Sequence, residues 1–183
     1  MISNRRDFLK FLAAGSALGT LGACTITSSG HVTTVRLNVA KVKAYGVAGL
    51  NAITTLLSID AVSSAIGAPA VSVIEDAGLA LQNSLSTFLN AAGSNVTITY
   101  DGTSFKSQID SILADLQNVS SLLGYAVSQA SSMFPGSILE NASTAVSALK
   151  TILSLFEGVL GIVSAPVPRM KEEQAFRILH VFL

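Results

Sequence analysis

The most constraining feature of the sequence is a run of apolar residues spaced alternately by four and three positions between residues 105 and 133. Its members are Phe105, Ile109, Ile112, Leu116, Val119, Leu123, Ala126, Ala130 and Met133. This spacing places all of them on one stripe of an α-helix, and it is typical of helices that pack at about 20° to their neighbours. It therefore predicts one long amphipathic helix, helix 3, whose stripe must be covered by other helices.

Three further stretches carry helical periodicity and are predicted to supply that cover. Helix 1 begins near Leu37, with a short continuation from Asp60 to Ile66. Helix 2 runs from about Pro69 to Ala92, after a break at Gly67-Ala68-Pro69.

Helix 4 follows helix 3 after a short link and is predicted to form an antiparallel hairpin with it. It opens with Ser137-Ile138-Leu139-Glu140, which fits a capping box in which Ser137 and Glu140 satisfy each other's free amides. Its stripe consists of Ala142, Ala145, Leu149, Ile152, Phe156, Val159 and Val163.

A strand signal separates helices 2 and 3. Val96, Ile98 and Tyr100 alternate with threonines, and Asp101-Gly102 is a turn signal, so residues 95–100 are predicted to form a short strand. The predicted fold class is all-α: a four-helix antiparallel bundle with a short β strand or hairpin between helices 2 and 3.

The first 23 residues have the character of an export leader. Arg5 and Arg6 precede a short, weakly apolar run that ends in small residues, and the run is too short to span a bilayer. The stretch Asn4-Arg5-Arg6-Asp7-Phe8-Leu9-Lys10 resembles a twin-arginine (Tat) signal, whose motif is Ser/Thr-Arg-Arg-x-Phe-Leu-Lys, at every position except the first. The resemblance implies export by the Tat route, with Arg5, Arg6, Phe8, Leu9 and Lys10 as the motif residues.

The end of the leader resembles a second signal, the bacterial lipobox. Leu21-Gly22-Ala23-Cys24 matches its pattern of leucine, two small residues and cysteine. The resemblance implies that Cys24, the chain's only cysteine, is acylated, for example with palmitate, and becomes the first residue of the mature protein. It further implies a protein anchored to membrane lipid in the cell envelope, on the periplasmic side in a diderm bacterium.

These observations divide the chain into four parts. Residues 1–23 are the signal peptide, 24–36 a Ser/Thr-rich flexible tether, 37–165 the helical bundle and 166–183 a C-terminal tail helix after Pro166-Val167-Pro168. The tail is expected either to dock on the bundle as an edge helix or to recognise a partner.

The charge balance of the mature part bears on its partners. The leader holds three of the 11 basic and one of the 11 acidic side chains, which leaves 8 and 10 and a net charge near −2. Nucleic-acid binding needs a basic surface, so no nucleic-acid partner is expected. Charged residues make up 12% of the chain, against about 25% typically, which suits a protein held at a membrane or in an assembly.

Catalytic and metal-binding patterns are not found in the sequence. His31 and His180 have no second ligand at metal-binding spacing, and there is no nucleophile motif or phosphate loop. The carboxylates of Glu75-Asp76 and of Glu172-Glu173 are adjacent on a helix and so point in different directions, and the pair Asp110/Asp115 is expected to be solvated on the polar side of helix 3. We therefore expect no enzyme activity, no cofactor and no metal.

One stretch stands out as a candidate contact surface. No charged residue occurs between Asp115 and Glu140, which covers the second half of helix 3 and the hairpin turn. The sequence therefore leads first to a lipid-anchored envelope protein with a structural or interaction role. The hairpin of helices 3 and 4 is its candidate contact surface, for lipid, for a second copy or for another protein. The alternatives are a membrane-active protein, pore-forming or holin-like, and a carrier of an apolar ligand.

Overall fold

The computed structural model describes residues 24–29, 32–100, 104–162 and 170–181, so the leader lies outside the described residues. Within these ranges the chain is mainly helical, with five α-helices and a small antiparallel sheet. The strands are β1 (Cys24–Ser29), β2 (Val32–Asn38) and β3 (Thr97–Tyr100). The helices are α1 (Val39–Leu57), α2 (Asp60–Ala92), α3 (Ser104–Met133), α4 (Glu140–Val159) and α5 (Glu172–Ile178).

The stripe on α3 forms the centre of the core, as its spacing predicts. Seven of its members are buried, namely Ile109, Ile112, Leu116, Val119, Leu123, Ala126 and Ala130. Phe105 at the start is half-buried, and Met133 at the end is exposed. Each fully buried large apolar side chain contributes about 1.5–3 kcal/mol, so this stripe is a main source of the stability of the fold.

The longest helices run antiparallel to their neighbours in sequence. Between α2 and α3, Ser84 bonds to Asp115 while the later Phe88 contacts the earlier Phe105. Between α3 and α4, the Gln117 amide donates to Glu157 at 2.8 Å. The predicted contact of helices 3 and 4 is present, but the most extensive helix contact in the described chain is the one between α2 and α3.

Helix α1 packs on α2, α3 and α4, and two glycines bring it close to its neighbours. An added Cβ at Gly46 would lie 3.0 Å from the methyl carbons of Leu85, and at Gly49 it would lie 2.5 Å from Leu116 Cδ2. A side chain at either position would therefore have to displace these leucine methyl groups. The leucines of α2 and α3 therefore rest directly on the backbone of α1.

Helix α2 consists of two helical segments joined by a kink, as predicted. The first segment begins at Asp60, where the short continuation is predicted to start, and Gly67 at the kink has φ 75° and ψ 165°. This left-handed conformation favours glycine, and Pro69 cannot donate a backbone hydrogen bond to the preceding turn. The predicted break at residues 67–69 is therefore a kink between two helical segments.

The prediction of a flexible tether over residues 24–36 is wrong. Strands β1 and β2 pair antiparallel, with Cys24 opposite Leu37 and Ser29 opposite Val32. The threonine content that indicated flexibility belongs to a segment that also holds Ile26, Val32 and Val35. Branching at Cβ favours the extended backbone, so this composition suits a strand.

Strand β3 is the short strand predicted between helices 2 and 3, and the structure pairs it with β2. The register places Leu37 opposite Ile98 and Val35 opposite Tyr100. Val35, Leu37 and Ile98 are buried, so one side of the sheet packs on the helices. The backbone N–H of Val39 donates to the carbonyl of Val96 at 3.0 Å, which fixes the sheet at the start of α1 and the end of α2.

The predicted capping box at the start of helix 4 is not formed. Residues Gly136–Leu139 form a 3-10 turn, and α4 begins at Glu140 with no side-chain cap at Leu139. The turn places Leu139 in the core, where its side chain is buried. Ser137 therefore lies within the tighter turn and not at the N-cap position that a capping box requires.

The C-terminal segment docks on the helices. Phe176 of α5 stacks on Tyr45 of α1, with ring centroids 6.0 Å apart, and Tyr45 in turn lies 5.0 Å from Phe156 of α4. Leu179 and Val181 are also buried. The tail thus shares the core, as the edge-helix alternative predicts, while the proline-containing link before it lies outside the described residues.

Candidate functional site

Cys24, the predicted site of lipidation, is the first residue of β1. It is paired with Leu37, two residues before α1 begins. The sheet sits at the end of the molecule where α1 starts and α2 ends. Any chemical group carried by Cys24 would therefore be attached at this end, called here the sheet end.

The predicted Tat residues precede Cys24 in the leader. Arg5, Arg6, Phe8, Leu9 and Lys10 all lie outside the described residues.

The opposite end of the molecule, called here the distal end, is poor in charge. It contains the turn between α1 and α2 and the turn between α3 and α4. Residues 116–139 hold no charged side chain, and residues 44–74 hold only Asp60. The scarcity of charged residues in the second half of α3 therefore extends to α1 and to the start of α2. The sequence analysis did not connect these segments.

Several large apolar side chains are exposed towards this end. Val73, Tyr125, Met133 and Ile138 are 52%, 61%, 62% and 51% exposed, respectively. Tyrosine and methionine are enriched at protein interfaces, where charged residues are depleted at the centre. The combination distinguishes this part of the surface from an ordinary polar helix face.

A shallow apolar groove runs between α2 and α3 within this charge-poor region. Its volume is about 130 Å³, and it is lined by Ile66, Ala70, Val73, Ile74, Leu122, Tyr125 and Ala126. Val73 and Tyr125 form exposed parts of its wall, while Ile74 and Ala126 are buried beneath. Sequence reasoning missed the groove because it followed the buried stripes; exposed apolar residues beside the stripes were the signal that could have revealed it.

The carboxylate pair Asp110/Asp115, expected to be solvated, is instead engaged in contacts between elements. Asp110 accepts hydrogen bonds from the Tyr100 hydroxyl at 2.5 Å and from Lys106, and Asp115 accepts one from Ser84 at 2.6 Å. Burial of the phenol, and then its bond to the Asp110 carboxylate, raise the pKa of Tyr100 above its ordinary value. These contacts attach the sheet and α2 to α3.

Glu172 has a comparable structural role at the start of α5. Its carboxylate accepts a hydrogen bond from the Tyr45 hydroxyl at 2.8 Å and forms an ion pair with Lys41 at 2.9 Å. Glu172 is half-buried, whereas Glu173, Glu75 and Asp76 are exposed. The acidic residues with partners therefore hold elements of the fold together and do not converge on one cavity.

The histidines are not brought together with other ligating side chains in the described part of the chain. His180 is exposed at the end of α5, and its carbonyl oxygen accepts a hydrogen bond from Asn51 at 3.3 Å. His31 lies outside the described residues. Among residues 24–29, 32–100, 104–162 and 170–181, no group of three His, Cys, Asp or Glu side chains could hold a metal ion.

One helix of the described chain, α2, is long and apolar enough by length and composition to cross a membrane. Only 22% of its most apolar window is buried in the fold. The helix also contains the Gly67 kink, Pro69 and the exposed acidic pair Glu75-Asp76, which a membrane-spanning helix would carry at a high cost.

Comparison with known proteins identifies the leader. The family model described as the TAT (twin-arginine translocation) pathway signal sequence matches residues 3–22. No curated protein and no solved structure matches the chain. The chain therefore carries a Tat signal and is exported across the cytoplasmic membrane, while residues 23–183 resemble no recognised family.

Proposed function

We propose that this is a lipid-anchored protein of the cell envelope that acts through contacts and not through catalysis. The observation that carries the proposal is the position of Cys24. It stands two residues after the matched Tat signal, follows Leu21-Gly22-Ala23, and is the first residue of strand β1. An acyl group on Cys24 would fix the sheet end at a membrane, on the periplasmic side in a diderm bacterium.

The body that would be held there is a four-helix antiparallel bundle extended by the sheet and α5. The antiparallel contacts of α1 with α2, α2 with α3 and α3 with α4 support this description. The contact of α1 with α4 through Tyr45 and Phe156 supports it further, because it brings the first and last long helices together.

A non-catalytic role is supported by how the polar side chains are used. Asp110, Asp115 and Glu172 each bond to a residue of another element or of an adjacent turn, so their contacts are structural. Catalytic groups are expected to converge on a cavity with shifted pKa values. The apolar groove between α2 and α3 contains no titratable group other than Tyr125, at its rim.

A carrier role is less well supported. Pockets that enclose a small ligand have volumes of about 300–1,000 Å³. The groove between α2 and α3, at about 130 Å³, is smaller and open at the surface.

The anchor is tested by Cys24→Ser in the full chain, with Thr25→Ser as the matched control. The serine variant should lose the membrane association of the wild type or accumulate as an uncleaved precursor, because serine cannot form the thioether to the lipid. Thr25→Ser should behave as the wild type does. Fractionation and gel mobility measure both effects, and the proposal fails if the Cys24→Ser protein fractionates and migrates like the wild type.

A second candidate function, membrane activity of a pore-forming or holin-like kind, is favoured by α2. This helix is apolar, yet little of its most apolar window is buried. Release of a dye from lipid vesicles by the purified protein would support membrane activity. Intact vesicles at protein concentrations where the fold is retained would leave the anchored contact protein as the better description.

A further inference from the structure

Cys24 occupies a paired position in the sheet, and this position constrains its modification. It lies directly opposite Leu37 in β2, and Leu37 lies directly opposite Ile98 in β3. Directly opposite residues of antiparallel strands share one face of a sheet. Leu37 and Ile98 are 1% and 5% exposed, so this row of three residues belongs to the face that packs on the helices. An acyl group on Cys24 must instead reach lipid.

The peptide bond that precedes Cys24 is subject to the same constraint. Maturation at the lipobox would cut between Ala23 and Cys24, directly before the first residue of β1. Proteolysis within a folded protein acts on the locally opened form of the segment around the bond. All six residues of β1, from Cys24 to Ser29, are paired with β2. In the paired form the segment is therefore held against the body.

The position of β1 allows it to separate without disturbing the rest of the sheet. The strand order β1-β2-β3 leaves β1 paired on one side only within the described part of the chain. Strand β2 keeps its pairing with β3, and the Val39 N–H keeps its bond to the Val96 carbonyl, when β1 is removed. Segments with few supporting contacts open locally at a lower free-energy cost than the core does.

We propose that β1 separates from β2 before Cys24 is acylated, so that opening of the hairpin controls the attachment of the lipid. This inference rests on the proposed anchoring at Cys24 and adds its regulation. A hairpin closes in about 1–10 μs, much faster than typical enzyme turnover of about 1–10³ per second, so the acylation rate should follow the fraction of open β1. Afterwards β1 can pair again from Thr25 onward, because only the first pair, Cys24 with Leu37, contains the acylated residue.

The reaction at the released strand uses a membrane glycerophospholipid. The thiolate of Cys24 is the nucleophile, and it attacks the glyceryl carbon that carries the phosphate. A carbon–sulfur bond forms, the bond between that carbon and the phosphate oxygen breaks, its electron pair leaves with the phosphate, and the thiol proton is released to the medium. One water molecule then hydrolyses the peptide bond between Ala23 and Cys24. Neither step needs an oxidant or a reductant.

The first experiment holds β1 on β2 with an engineered disulfide in the full chain. Thr27→Cys with Thr34→Cys joins two register partners of β1 and β2. Such partners have Cα atoms about 4.5–5.5 Å apart, within the range that a disulfide spans. Arg36→Cys with Thr99→Cys is the matched control, because it joins β2 to β3 and leaves β1 free to separate. Peptide mapping by mass spectrometry selects the oxidised proteins in which Cys24 is unmodified.

Acylation is measured on precursors purified from a strain that lacks the Tat system. They are incubated with detergent-solubilised bacterial membranes, which supply the phospholipid and the processing enzymes, and the intact mass reports the acyl group. The oxidised protein with the β1–β2 disulfide should be acylated at least about tenfold more slowly than its reduced form, because the open form is no longer populated. The protein with the β2–β3 disulfide should be acylated at the same rate in both forms.

A second measurement follows the release of β1 in the parent precursor, without any disulfide. Hydrogen exchange should be at least about tenfold faster for amides of β1 than for amides bonded between β2 and β3. The β1–β2 disulfide should slow exchange in β1, and the β2–β3 disulfide should leave it unchanged. If β1 exchanges as slowly as the buried helices, it opens only with the whole fold, and the proposal is overturned.

The outcomes separate the release of β1 from the anchor on which it rests. If the wild type isolated from bacterial membranes carries no acyl group, the anchor is wrong and the control of its attachment is wrong with it. If the wild type is acylated, and the protein with the β1–β2 disulfide is acylated equally fast when oxidised and when reduced, only the release of β1 is wrong. Circular dichroism of the oxidised and reduced forms checks that both retain their helices.

Discussion

A methyl group added at Gly49 tests whether α1 is packed as closely as the structure indicates. The Cβ of an alanine there would lie 2.5 Å from Leu116 Cδ2 and 2.7 Å from Leu81 Cδ2. Favourable contacts between carbon atoms lie at about 3.5–4.0 Å, so both methyl groups would have to move by roughly 1 Å. Leu81 and Leu116 are both fully buried, which leaves them little room to move.

The expected magnitude combines two opposing terms. Overpacking a core by a methyl group costs about 1–3 kcal/mol. Alanine is favoured over glycine inside a helix by about 1 kcal/mol, which offsets part of that cost. Because two buried side chains are affected at once, we expect Gly49→Ala to lower the free energy of unfolding by about 1–2 kcal/mol, or the Tm by roughly 2–8 °C.

The control is Gly124→Ala in α3. The nearest atom to an added Cβ there is Lys150 Nζ, at 4.0 Å, so the methyl group meets no buried side chain. Only the gain in helix propensity remains, and this variant should be more stable than the wild type by up to about 1 kcal/mol. Thermal and urea unfolding, both followed by circular dichroism, measure the two shifts.

A double variant tests the cause of the effect. Leu116→Ala alone should cost about 2–5 kcal/mol, because it leaves a cavity in the core. In that background the additional cost of Gly49→Ala should shrink, since the nearest methyl group has been removed. The reasoning is refuted if Gly49→Ala and Gly124→Ala shift the Tm in the same direction by similar amounts, or if the two substitutions at 49 and 116 are additive.

Two further predictions concern export and the Tyr100 contact. Changing Arg5 and Arg6 together to lysine should stop export, because lysine does not reproduce the planar guanidinium group. Continued export of the double variant would contradict the assigned route, and so would export of the wild type from a strain without the Tat system. Asp110→Asn should lower the pKa of Tyr100 towards the ordinary value of 10.0, although burial, the larger cause, will keep it raised. Because the pKa of Tyr100 is higher in the folded state, its stabilising contribution is complete below pH 10.0 and is lost as the pH rises through the folded-state pKa. An alkaline titration of phenolate absorbance, with Tyr100→Phe as the blank, measures that pKa.

The helices could be predicted from the sequence because the residues that pack in the core recur at regular intervals along each helix. The stripe from Ile109 to Ala130 is continuous over 22 positions, and every member of it is buried. The break at Gly67 was equally clear, because glycine beside proline restricts the backbone locally. Such features depend on residues near one another in sequence.

The sheet could not be predicted in the same way, because its pairing joins distant segments. Strand β2 lies between β1, which is adjacent in sequence, and β3, which follows about 60 residues later. Residues 24–36 read as a tether because threonine and serine suit both flexible linkers and strands. Only the buried side of the sheet, with Leu37 opposite Ile98, decides between the two.

The groove was hidden for a related reason. Val73 and Tyr125 lie outside the predicted stripes, and nothing in the sequence shows that they line one recess. Their proximity depends on the register between α2 and α3, which is set by pairs such as Ser84 with Asp115. Pattern analysis identifies the faces of helices but not their mutual register.

The hairpin of β1 and β2 also determines how the molecule would respond to mechanical load. A membrane anchor at Cys24 would pull on the strand beside Leu37, at the same end where β2 continues into α1. A force applied at this end would break the hydrogen bonds between β1 and β2 one residue pair at a time. It would not load all of these bonds at once, as a shear force along the strands would. Unpairing β1 would free the eight residues that precede β2, roughly 25–30 Å of chain when extended, while β2 stays on β3. With such an anchor the hairpin would open first under high force and lengthen the link between the anchor and the body, while the helical core stays folded.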